Sequence, residues 1–157
     1  TRVPATTGEP GFGAYGGGMV DVVHGVPEAL EYCSLRVESG LSPMYLDVAE
    51  ESLPRSLFAV TVRDGGRLIG MGRVVGDGLH VQVVDVAVHP SRQGEGISRL
   101  VLDEIVRFLL GLPDRTIISL FADIDWLYGK YGFAAPTAST GMFLRDRDVA
   151  RERVGVL

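Results

Sequence analysis

The chain has 157 residues, 46% of them apolar and 22% charged, which suits one domain with a real core and excludes wholesale disorder. A net charge of −5 argues against a nucleic-acid binder with a basic face. No apolar run approaches the ~18 residues of a membrane span.

Glycine is abundant at 21 residues, six of them before residue 19, where Arg2 and Glu9 are the only charges. Residues 1–18 therefore read as a flexible glycine-rich tail, and 19–157 as a single domain. Met19–His24 is a short β-branched run and a predicted edge strand. Pro27 marks the start of a first helix and Gly40 its end. A second helix is predicted from about Tyr45 to Leu53, stopping before Pro54. Leu57–Val62 and Leu68–Val75 read as strands joined by a tight turn at Asp64-Gly65-Gly66. Gly76-Asp77-Gly78 then turns the chain into a third long strand, His80–Val88. From Glu95 to Leu110 the period becomes helical, with Ile97, Val101, Ile105 and Leu109 on one face. Thr116–Phe121 is a further strand, so residues 80–121 form a strand–helix–strand unit that should place two strands parallel. A short helix around Ile124–Tyr131 and a last strand near Met142–Arg145 complete the expectation. The fold class is α/β, with a mixed, mostly antiparallel sheet flanked by helices.

The segment between the third long strand and the long helix is the most informative. Gly94 and Gly96 lie in Gln93-Gly94-Glu95-Gly96-Ile97-Ser98, where backbone amides and the positive end of a helix converge. Such a turn suits a phosphate group. It lacks the Lys-Ser/Thr of a nucleoside-triphosphatase loop and the third glycine of a dinucleotide fingerprint, where Arg99 stands instead. Without a ligand it would be a glycine-softened turn.

This segment resembles the Q/R-x-x-G-x-G/A pyrophosphate loop of the GNAT superfamily of acyl-CoA-dependent N-acyltransferases. Val84-Asp85-Val86-Ala87-Val88-His89-Pro90 is similar to that family's fourth strand, and Leu127-Tyr128-Gly129-Lys130-Tyr131-Gly132-Phe133 to its F-Y-x-x-x-G-F signature. Ser98 stands where glycine or alanine is usual, and Leu127 where phenylalanine is common. The resemblance spans about residues 19 to 147 and implies a splayed parallel strand pair with acetyl-CoA as donor. The amides of Gln93, Gly94, Glu95, Gly96, Ile97 and Ser98 would hold its pyrophosphate, and Val86, Ala87 and Val88 its pantetheine arm. Tyr128 matches the family's general acid, and a Val86 amide is the expected oxyanion donor.

Acyl transfer from a thioester needs a neutral amine, a donor to the oxyanion and a proton for the departing sulfur. Asp85 is a carboxylate in an otherwise apolar strand and a candidate base, with His80 a second. The competing reading makes Asp85 a structural aspartate. Leu41, Tyr45, Phe58, Arg73 and the 134–141 loop are the expected acceptor-binding parts. Acidic residues there, including Glu38, Asp47, Glu50 and Glu51, suit a small primary amine with an apolar body, while Arg73 and Arg55 would suit a carboxylate. No metal is expected, because three scattered histidines and one cysteine, Cys33, make no ligand set. That single cysteine, with no basic-then-apolar leader, sets the expectation of a cytoplasmic protein. The partners expected are a small-molecule amine, no nucleic acid and no membrane, with a homodimer among the states the family favours. A peptide or protein N-acetyltransferase and a non-catalytic acyl-CoA-binding domain are the alternatives.

Overall fold

The computed structural model describes residues 19–156, so the expected tail over residues 1–18 lies outside the described residues. The chain divides into two compact units, one ending at Phe121 and one running from Ala122.

The first unit is built on a five-stranded sheet in the order β1 (Asp21–His24), β2 (Phe58–Asp64), β3 (Arg67–Gly76), β4 (His80–Val88) and β5 (Ile117–Leu120). The first three pairings are antiparallel and β4–β5 is parallel, as the strand–helix–strand pattern requires. β5 accompanies only the first part of β4, from His80↔Ile117 to Val83↔Leu120. The rest of β4 runs on beside β3.

Two helical layers cover this sheet. On one side α1 (Ala29–Glu38), α2 (Leu46–Ser52) and the short turn after it bury Tyr32, Leu35, Ala49 and Leu53 against Leu68, Met71 and Ala87. On the other side α3 (Ile97–Leu110) buries Ile97, Val101, Leu102, Ile105 and Leu109. Its close approach depends on two glycines of β3. A Cβ on Gly70 would lie 2.6 Å from Ile97 Cγ2, and one on Gly72 would lie 2.7 Å from Val101 Cγ1 and Ile105 Cδ1. An alanine at either place would force the facing α3 side chains, or the helix that carries them, to shift.

The second unit contains α4 (Asp125–Gly129) and α5 (Arg147–Val154). Residues 142–145, expected as a strand, have no regular structure, and Met142 and Leu144 are exposed. α5 was absent from the sequence expectation because it has no apolar stripe. Asp146 starts it by accepting from the amides of Asp148 and Val149, and Gly155 ends it in the left-handed region.

Candidate active site

The loop that leads into α3 has the geometry its glycines suggested. Gly94 and Gly96 both take φ +81, a region most side chains avoid, and Gly96 is the N-cap of α3. A Cβ on Gly94 would meet nothing within 4 Å, so the loop's outer surface is open. Free amides of a 14-residue helix therefore face an uncrowded turn, which fits a pyrophosphate. Gln93 donates its side-chain amide to the Val88 carbonyl at 3.3 Å, tying the loop to the end of β4. Arg92 is engaged elsewhere, with Nε on Glu95 at 2.6 Å and Nη1 on Asp64 at 2.5 Å. Arg99, on the exposed face of α3, approaches Asp103 at 3.9 Å. Ile97 is buried under β3 and anchors the first turn.

β4 is bulged. Arg73 pairs with Val84 and Met71 with Ala87, so one residue of β3 opposes two of β4, Asp85 and Val86. Asp85 has φ +56, the one non-glycine residue at positive φ among the described residues, at a cost of about 1–3 kcal/mol. A bulge breaks the ladder, and it leaves a backbone amide at this point free for another acceptor.

The bulge also lets the Asp85 carboxylate reach the α1 layer. Arg36 and Arg73 both pair with it, Arg73 Nε at 2.8 Å from Oδ2, and the Tyr32 hydroxyl donates to Oδ2 at 2.9 Å. Both guanidiniums also stack on the Tyr32 ring, each 5.5 Å from its centroid. Burial and the Asp85 carboxylate push the Tyr32 phenol above its usual range, so it remains a donor. The arginines carry the network outward. Arg36 holds the α1–α2 loop through the Ser42 carbonyl at 2.8 Å and hydroxyl at 3.0 Å, and Arg73 reaches the Ser56 hydroxyl at 2.8 Å. Every oxygen of Asp85 is thus occupied by a donor, and the carboxylate organises walls on three segments.

Beside this network lies a cavity of about 120 Å³, walled by Met44, Val48, Ala49 and Leu53, with Tyr32, Ser52 and Arg73 as its polar side. Of the expected acceptor residues, Arg73 lines it. Leu41 packs against the core cluster under α1 and α2, and Tyr45 caps α2 with 79% of its surface exposed. Phe58 is turned to the α3 layer, stacked on Phe108 with centroids 4.8 Å apart and meeting His24 edge-on. Sequence reasoning missed Tyr32 and Arg36. Their i, i+4 spacing on α1 was the available signal, because it puts both polar groups on the buried face while Leu30 and Val37 are exposed.

Tyr128 belongs to α4 in the second unit. The turn after it explains the motif that contains it. Gly132 has φ +87, its amide reaches the Gly129 carbonyl at 3.1 Å, and the Phe133 amide reaches the Tyr128 carbonyl at 3.3 Å. That is a Schellman ending, whose usual apolar contact is made here by Phe133 against the Tyr128 ring, 6.3 Å between centroids. Glycine and phenylalanine thus set the tyrosine's orientation. Burial, with the Asp123 carboxylate, pushes its phenol above the usual range. His80 is exposed at the start of β4, and His89 caps the turn before the loop, accepting from the Ser91 amide.

Comparison with known proteins agrees with this geometry. A family model described as "Acetyltransferase (GNAT) domain" matches residues 54–135, from the end of α2 through the α4 turn. A crystal structure from Staphylococcus aureus described as a "Probable Acetyltransferase" superposes with a TM-score of 0.76 and 42% identity, over 82% of this chain and all of that one. Serotonin N-acetyltransferase 2 of Oryza sativa is 40% identical over 87 residues, 52% of this chain and 43% of that protein. Histone acetyltransferase TAP1 of Glycine max is 38% identical over 81 residues, 49% and 35% of the two chains. The chain spans a third to a half of the length of these curated relatives. With half its residues matched by the domain model, the chain belongs to the GNAT acetyltransferase family.

Proposed function

We propose that the protein is an N-acetyltransferase that moves an acetyl group from acetyl-CoA to the primary amine of a small molecule with an apolar or aromatic body, by direct transfer. The carrying observation is that β4, bulged at Asp85, extends past its parallel partner toward the open glycine loop at the start of α3. The amides from Gln93 to Ser98 would bind the pyrophosphate, and the edge of Val86, Ala87 and Val88 would bind the arm. Bound there, acetyl-CoA supplies a thioester, whose C–S bond breaks as the amine nitrogen bonds to the acetyl carbon.

The chain's residues then have separate tasks. The amide at Val86 donates to the carbonyl oxygen as charge develops on it. Tyr128 gives its phenolic proton to the departing sulfur, and its raised proton affinity keeps that proton in place at neutral pH. The amine's own proton leaves to solvent. Asp85, with its oxygens held by Tyr32, Arg36 and Arg73, acts as a positioning residue for the acceptor walls. In the alternative reading Asp85 is the base, and the amine or a water would reach Oδ1, which accepts one bond, from Arg36.

For the acceptor, the apolar cavity and a relative named for serotonin favour a small amine with a hydrocarbon body. A relative named for histones favours the second reading, a peptide or protein amine. A CoA-release screen over arylalkylamines, alkylamines, amino acids and basic peptides tests both. Turnover of peptides alone would overturn the small-amine reading, and no thiol release with any amine would favour a non-catalytic acyl-CoA-binding domain.

A further inference from the structure

We infer that the cavity between α2 and β3 receives the carbon skeleton of the acceptor and that Arg73 excludes a second positive charge from it. This rests on the acetyl-transfer reading and adds a substrate class: monoamines with a compact branched or cyclic body, with diamines, polyamines and lysine-like side chains excluded.

Size is the first argument. About 120 Å³ is close to the ~150 Å³ apolar hole known to accept benzene, so a branched five-carbon chain or one small ring fills it. Met44, Val48, Ala49 and Leu53 supply an apolar wall with at most the weak acceptor of a thioether, and the Ser52 hydroxyl is the one neutral aliphatic group in the lining that can bond a guest.

Charge is the second. Two guanidiniums, Arg36 and Arg73, share the single carboxylate of Asp85, which leaves one positive charge in excess beside the cavity. Of these, Arg73 lines the wall, with its side chain only 12% exposed and therefore weakly screened. Its contacts to Asp85 and Ser56 use three of its five N–H groups, so it still offers donors to a neutral or anionic guest. The acidic residues of α2 do not reverse this sign. Glu51 pairs with Arg55, and Asp47 and Glu50 are exposed, outside the lining. A guest ammonium would find no carboxylate in the wall.

The test compares 3-methylbutylamine with 1,5-diaminopentane, which have equal carbon counts and differ by one charge. Binding is read from the Met44 methyl resonance on titration of each amine, and transfer from CoA release. The expected result is a saturable Met44 shift with the monoamine, and kcat/KM at least about 100-fold higher than for the diamine. Arg73→Met should narrow that ratio at least tenfold. Val48→Phe, at a position 44% exposed and so tolerant of size, should weaken the monoamine at least tenfold while acetyl-CoA still raises Tm. Equal binding of the two amines, or a Met44 resonance that neither one moves, overturns the inference. If the monoamine moves Met44 and no CoA is released, the cavity assignment stands and the acetyl-transfer reading falls.

Discussion

The two halves of the proposed site, donor and acceptor, are made of different material. The donor half is backbone: two glycines at φ +81, the amides of a helix start and the bare stretch of a strand. The acceptor half is side chains drawn from α1, α2, β3 and β4 around one buried carboxylate. Backbone sites tolerate a change of side chain as long as the local conformation survives, and they bind the same group in many proteins. Side-chain sites change their guest with each substitution. The difference explains why a common donor can be named from a short motif while the acceptor has to be argued from charge and volume.

Substitutions can sharpen this contrast. The largest effect should follow Gly96→Asp, which puts a carboxylate on the helix start where a diphosphate would bind. Acetyl-CoA should then give no increase in Tm, whereas the variant alone should remain folded, since aspartate is among the residues that tolerate left-handed φ. A normal ligand-induced shift would remove the loop from donor binding.

Asp85→Asn should be next. It strands two guanidiniums whose side chains are only 9% and 12% exposed, at a cost of about 3–5 kcal/mol in stability. The loss of activity should be uniform with pH and should come with a lower Tm. A loss confined to low pH in a variant of normal stability would make Asp85 the base.

Tyr128→Phe should lower kcat by about 10 to 10³-fold with acetyl-CoA affinity nearly unchanged. The phenol is held above its usual pKa of 10.0, so the wild-type rate should not decline through its deprotonation until the pH exceeds that value. An earlier decline that disappears in the phenylalanine variant would contradict this.

The smallest effect belongs to Glu31→Gln, on the exposed side of α1. Hydrogen bonds from Arg63 hold the Glu31 carboxyl below its ordinary 4.5, so the pair stabilises the fold above that pH and ceases to do so as pH falls through the lowered value. With both side chains partly exposed, the contribution should be at most about 1 kcal/mol. The Tm difference between variant and wild type should therefore close in acid.

What the sequence makes legible follows the same division. Strands β2 to β4 and helix α3 are readable because their apolar periods are long and their turns carry glycine pairs at 65–66 and 76–78. The donor loop is readable because its glycines are required by conformation. Residues 142–145 look like a strand by composition, yet they have no regular structure. The acceptor side was only partly visible. Arg73 could be singled out, but the other members of its network, Tyr32, Arg36 and Asp85, lie 41, 37 and 12 positions away along the chain, and pairing across such distances leaves no local pattern. Phe58 shows the converse, an aromatic beside the acceptor region whose ring faces the opposite layer.

The glycine at position 70 links the buried sheet to the donor loop in a way that matters for any mutational library of this protein. The side chain it excludes would strike Ile97, and Ile97 is the residue that follows Gly96. A methyl group added in the middle of β3 would therefore be transmitted, through a single contact, to the amides at the mouth of α3. Screened by abundance alone, position 70 would be scored as a packing defect. Screened by donor affinity, the same substitution would register as a binding-site lesion, although no atom of residue 70 belongs to the loop. Sequence drift in this fold should accordingly hold that pair together, a small residue on the strand with a β-branched one opening the helix, or exchange both at once.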